Sequence, residues 1–126
     1  MKSLLCALIL AFIVIFGGLY TSKKIDTLTE NLLNKNANII TLINQNDFKS
    51  AKEQLKKIHN EIEDSSLVLA SCLDHNEIDK IDINIANLKT YIEEENKIMA
   101  LSCTSTLELL FSHLPKDYHV KLENIF

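Results

Sequence analysis

Residues 48–72 read FKSAKEQLKKIHNEIEDSSLVLASC. Within them Phe48, Ala51, Leu55, Ile58, Ile62, Ser65, Leu69 and Cys72 recur at alternating three- and four-residue steps. That spacing keeps all eight on one stripe of a helix, whereas a half-buried strand would alternate at every second residue. The pattern predicts a long helix in unbroken heptad register whose apolar seam must be covered by other helices. Asn46 and Asp47 stand just ahead of it and supply N-cap chemistry.

The same period extends in both directions. Upstream, Ile25, Leu28, Leu32, Ile39, Leu42 and Ile43 form a first stripe, expected to continue the apolar N-terminal helix and interrupted by Lys35 and Asn36 where an apolar residue is due. Downstream, Asp74 followed by Glu77 resembles a capping box, and Ile78, Ile81, Ile85, Leu88, Ile92 and Met99 continue at heptad spacing, with Leu109 rejoining the register. Pro115 stops this third helix. The breaks at 44–47 and 74–76 are short enough to force neighbouring helices antiparallel, so the expected fold is all-α: an N-terminal transmembrane helix and an up-down-up bundle over residues 24–114. The third helix then outgrows its partners, placing Cys103 near the far tip. Ser102, Cys103, Thr104, Ser105 and Thr106 are of middling or poor helix propensity, with hydroxyls that can compete for backbone hydrogen bonds, and a kink or loosened turn is expected there. Residues 115–126, with Tyr118, Val120, Leu122, Ile125 and Phe126, form an apolar tail expected to fold over the bundle tip or pair with a second copy.

The N-terminal segment is of another kind. Residues 3–22 contain no charged side chain, and Lys2 on one side and Lys23 with Lys24 on the other frame them. Twenty residues at ~1.5 Å rise make about 30 Å of helix, enough to cross a bilayer's hydrocarbon core. Leu4 and Tyr20 mark the ends of the expected anchor over residues 1–23, and Tyr20 suits the interface. A cleaved signal would need small residues at spaced positions before the cut, which the segment between Phe16 and Lys24 lacks, so an uncleaved signal anchor is the favoured reading. Cys6 comes too early for a lipoprotein signal. The flanking lysines nearly balance; by the precedent of signal anchors, the bundle is expected outside the cytoplasm and the N-terminus inside.

Composition removes whole classes of function. Both glycines, Gly17 and Gly18, lie in the apolar segment, so residues 24–126 contain none. Phosphate-binding loops, dinucleotide fingerprints and nucleophile elbows all require glycine, which disfavours the enzymes built on them. From Ile25 onward ten lysines face seventeen acidic residues, a charge of −7 that opposes nucleic-acid phosphates.

Few side chains suggest chemistry. The densest polar group is Asp74, His75, Glu77, Asp79 and Asp82, around the second turn. His75 and Asp79 are four apart and share a helix face, and imidazole with carboxylates suits zinc or manganese. Acids at a helix start also serve capping and the helix dipole, which is the stronger reading. No Glu-x-x-His pair occurs, so a di-metal bundle centre lacks its ligands. His59, His113 and His119 are scattered. Cys72 and Cys103 fall too far apart in the hairpin for a disulfide. Glu93, Glu94 and Glu95 read as a solvated ridge in the middle of the third helix, with Glu95 on the stripe itself.

The run Asn46-Asp47-Phe48 with Ala51, then His75 with Glu77-Ile78-Asp79, His113-Leu114-Pro115 and the ending Glu123-Asn124-Ile125-Phe126 resembles an uncharacterised bacterial family of short membrane-anchored helical proteins, of the domain-of-unknown-function 4363 type. The resemblance implies an N-terminal anchor and occurrence in spore-forming Gram-positive bacteria, and it brings no reaction. The expectation is a non-enzymatic, single-pass protein of the cell envelope, needing no cofactor, whose bundle contacts the bilayer and a protein partner or its own copy. The alternative is an extracytoplasmic helical sensor or ligand-binding bundle that acts with a separate signalling partner.

Overall fold

The computed structural model describes residues 1–114, except for the side chains of residues 21 and 22. The expected docking of the 115–126 tail lies outside the described residues. No strand occurs among them, and five helices follow one another: α1 (Lys2–Asn44), α2 (Phe48–Asp64), α3 (Ser66–Cys72), α4 (His75–Glu93) and α5 (Lys97–Ser112). The apolar segment and the first amphipathic stripe form one continuous 43-residue helix, as the sequence predicts.

The chain reverses at the distal end twice, by the same device. At the first turn the Asp47 amide donates to the Leu42 carbonyl and the Asn46 amide to the Ile43 carbonyl, with Asn46 left-handed at φ 61. At the second, the Asn96 amide donates to Tyr91 and the Glu95 amide to Ile92, with Glu95 at φ 56. This pair of bonds is the Schellman motif, which usually places glycine at the left-handed residue. The glycine-free bundle uses Asn and Glu instead. Each turn then hands over to an N-cap: Asp47 accepts from the Ser50 amide and Asn96 from the Met99 amide, both at 3.2 Å.

The second turn corrects the expected third helix, which is two helices. The heptad register from Ile92 to Met99 coincides across a break, and Met99 and Leu109 are exposed at 41% and 57%. The buried stripe of α5 is Ala100, Cys103, Thr104, Leu107 and Phe111. Nor does the chain kink at 102–106. The hydroxyls there donate within the helix, Thr104 and Ser105 to the Leu101 carbonyl and Thr106 to the Ser102 carbonyl, so they share acceptors with the backbone without displacing it. The second helix is also interrupted. Ser65, at φ −101, separates α2 from α3, although Leu69 and Cys72 remain buried in line with Ile62.

Because α5 turns back, the overhang expected of a long third helix is absent. α1 packs on α2 and α5, and α4 packs on α5 and α2, which closes a ring of four helices with α3 extending α2. Two contacts fix the direction of α5 against α1: Lys97 Nζ lies 3.4 Å from the Asn44 carbonyl, and Asn36 Nδ2 donates at 2.9 Å to the Thr104 carbonyl. As one residue number falls the other rises, so these helices are antiparallel. Lys35–Glu61 joins α1 to α2, and Lys52–Glu93, at 2.9 Å, joins α2 to α4. The core on which they close includes Ile25, Leu32, Ile39, Ile58, Leu88, Leu107 and Phe111, each under 2% exposed. Asn36 and Thr104, each 1% exposed, and Thr29 at 6% are the buried polar residues among those described, and Asn36 Oδ1 and Thr29 Oγ1 have no hydrogen-bond partner there.

Candidate functional site

The acidic turn is built by the start of α4. Asp74 is its N-cap, with extended backbone at φ −73, ψ 156 and no side-chain cap bond, so the expected capping box does not close. Glu77 sits in the first turn with Oε1 3.7 Å from Lys80 Nζ. His75, Asp79 and Asp82 are exposed, and their four- and three-residue spacing sets them along one side of α4, with Glu77 on the opposite side. Among the described residues no set of three or more His, Cys, Asp or Glu side chains is placed to hold a metal ion. His59 pairs with Glu63 at 3.0 Å on α2, and His113 is exposed beyond α5.

Two members of that group, His75 and Asp82, contribute instead to a feature the sequence reading missed. Between α2–α3 and α4 runs a groove of about 980 Å³. Its floor is formed by Leu55, Ile62 and Leu69 from one side and Ile78 and Ile85 from the other. All of these but Ile78 belong to the buried core, so the groove bottoms on the seam between the helices. Alanines at 70 and 86 leave the walls low. Lys49, Lys52, Lys56 and Lys89 stand at the distal end, and Glu63, Asp82 and His75 towards the other. The signal was present in the sequence, since 49, 52 and 56 are spaced to share one side of a helix.

Electrostatics at the distal end follow from the α2–α4 bridge. Lys52 hydrogen-bonds Glu93 and attracts it, holding that carboxyl below its usual range, with a smaller contribution from Lys89. On α5, burial pushes the Cys103 thiol up. Cys6, Cys72 and Cys103 are all free thiols. Cys72 lies at the level of residue 24 of α1 and Cys103 near residue 38, which puts about 20 Å of helix between them. Cys103 is thus some two turns below the tip, lower than expected, because the chain folds back at 94–96.

The outer face of α5 differs from the other exposed faces. Ile98, Ser102, Ser105, Leu109 and Ser112 are all exposed and lie along one stripe, and only Lys97 and Glu108 are charged in the whole helix. At the other extreme of the molecule, the apolar half of α1 is bare of protein contacts. Large side chains there, from Leu4 at 70% to Tyr20 at 70%, are exposed all round, with Ile9 lowest at 51%. A Cβ added at Gly17 or Gly18 would enter open space. A helix apolar on every side with nothing covering it is long and apolar enough to cross a membrane.

Comparison with curated proteins finds no match, and comparison with solved structures finds none. One protein family matches over residues 19–125, from the last turn of the apolar segment to the penultimate residue, and so takes in every helix of the bundle. The chain belongs to the family described as domain of unknown function DUF4363.

Proposed function

We propose that this protein is a single-pass, membrane-anchored helical bundle of the cell envelope that works by non-covalent contact, with a protein partner or a second copy seated on the outer face of α5. The observation that carries the reading is the stripe Ile98, Ser102, Ser105, Leu109 and Ser112, exposed and uncharged in a domain that elsewhere covers its surface with Lys, Glu and Asp. Small hydroxyl side chains between two large apolar ones let another helix approach closely. The bundle stands outside the cytoplasm with the N-terminus inside, in the manner of a signal anchor.

The test is photo-crosslinking in native membranes from probes at Ser105 and Leu109, with Lys57 on the charged face of α2 as the reference. The reading expects a discrete adduct, of one partner or of the dimer, from the first two positions and none from the third. Uncrosslinked chain from all three positions would refute it. A second reading, a ligand-binding bundle acting with a separate signalling partner, is favoured by the groove between α2 and α4. A ligand-dependent rise in unfolding temperature supports that reading.

A further inference from the structure

We propose that the α2–α4 groove binds a single-chain anionic amphiphile drawn from the bilayer, a long-chain fatty acid, with its carboxylate at Lys56 and Lys89 and its chain along Leu55, Ile62 and Leu69. This rests on the ligand-binding reading and names the ligand class.

The floor selects for a thin apolar occupant. Leu55, Ile62, Leu69 and Ile85 are only 3–7% exposed, so they lie at the bottom of a slot and not on an open face. A docked helix needs its axis within about 8–10 Å of its neighbours and an open apolar face to lie on, which a floor only 3–7% exposed does not offer. A polymethylene chain reaches the floor. From Leu55 to Leu69 the apolar row runs for ~21 Å, and the groove volume of about 980 Å³ falls within the range of small-molecule sites, roughly 300–1,000 Å³.

Charge sets the orientation. At the distal end Lys52 is engaged by Glu93, while Lys49, Lys56 and Lys89 form no ion pair among the described residues. Glu53 is the remaining carboxylate lining that end, which leaves it basic. At the opposite end Glu63 and Asp82 repel an anionic head. The carboxylate therefore sits among the lysines, where charge-assisted hydrogen bonds hold it. The chain end points to Leu69 and Ile78, beside the turn before α4. Since α2 descends antiparallel to α1, that end lies level with the first residues after the apolar segment. It is the end nearest the lipid from which the ligand would come.

The test uses the full chain in nanodiscs of neutral phospholipid, with palmitate carrying a photoreactive diazirine and adducts mapped by mass spectrometry. A diazirine near the chain terminus is expected to label Leu69, Ile78 and their neighbours, and one near the carboxylate the Lys56–Lys89 end. Adducts on residues 4–20 serve as an internal reference for lipid exposure. In the double variant Lys56→Gln, Lys89→Gln, and in Ala86→Phe, which fills the slot from its exposed wall, groove labelling is expected to fall about tenfold against that reference. Thermal unfolding of both surface variants checks that the bundle persists.

Labelling confined to residues 4–20 would overturn the proposal. So would equal groove labelling by a cationic alkylamine probe, or groove labelling that appears only after residues 115–126 are deleted, which would make the chain's own segment the occupant. A small water-soluble diazirine separates this failure from that of the ligand-binding reading. If it labels the groove freely while palmitate does not, only the fatty acid is excluded; if the groove is closed to both, the ligand-binding reading falls too.

Discussion

Replacing Glu95 by glycine tests the turn that divides α4 from α5. Glu95 sits at φ 56, where an L-residue with a Cβ is disfavoured by ~1–2 kcal/mol relative to the right-handed region. Glycine removes that cost and gives back ~0.5–1 kcal/mol through the greater freedom of the unfolded chain. The net expectation is stabilisation by roughly 0.5–1 kcal/mol, a rise in unfolding temperature of about 4 °C for a bundle of this size. If residues 93–97 were the middle of one helix, glycine would instead destabilise by ~1 kcal/mol. The two architectures thus predict opposite signs. Urea and thermal unfolding followed by circular dichroism measure the difference. Glu95→Ala sharpens it, because alanine keeps the Cβ and gains little at a left-handed position, yet is the best residue in a continuous helix. Glycine more stable than alanine supports the turn; alanine more stable than glycine refutes it.

The register of α5 is tested by Leu107→Ala, which empties a site 0% exposed and is expected to cost about 2–5 kcal/mol, against Leu109→Ala, 57% exposed, expected within ~0.5 kcal/mol of wild type in the same unfolding assay. Asn36→Leu removes the buried unpartnered Oδ1 and leaves the Thr104 carbonyl to its helical bond; a gain of about 1–2 kcal/mol is expected, and size-exclusion chromatography reads whether helix pairing stays unique without the polar position. The Glu93 carboxyl is depressed by Lys52, so its contribution is present above the ordinary carboxyl value of 4.5 and is lost as pH falls through the lower folded value. Lys52→Gln should flatten the acid limb of the stability profile in that window. Cys72 and Cys103, both buried, should resist a thiol reagent until urea unfolds the bundle, and mass spectrometry of the labelled chain scores this.

The helical class, the continuity of the apolar segment with the first amphipathic helix, and the Asp47 cap were legible because each depends on local pattern alone. Periodicity failed where two helices happened to share a register. Ile92 and Met99 are seven apart, and no glycine or proline marks the turn between them; its markers are Asn96, an N-cap residue, and three glutamates, which also suit a helix. The hydroxyl-rich segment 102–106 misled in the other direction, because Ser and Thr bonded back to their own helix as readily as they would have broken it. The acidic turn was visible as a cluster in sequence, and helical geometry keeps His75, Asp79 and Asp82 on one side of α4 while it sends Glu77 to the other, beside Lys80. The groove depends on how closely two neighbouring helices approach, and the expected antiparallel pairing across 74–76 does not specify that distance.

The account stands on an anchor that stays attached to its bundle. The most direct measurement is the intact mass of the chain recovered from carbonate-washed membranes. Retention of residues 1–24 in the membrane-bound product is the predicted result, since α1 runs unbroken from the apolar segment into the core. A product beginning near residue 22 and released into the wash would contradict it.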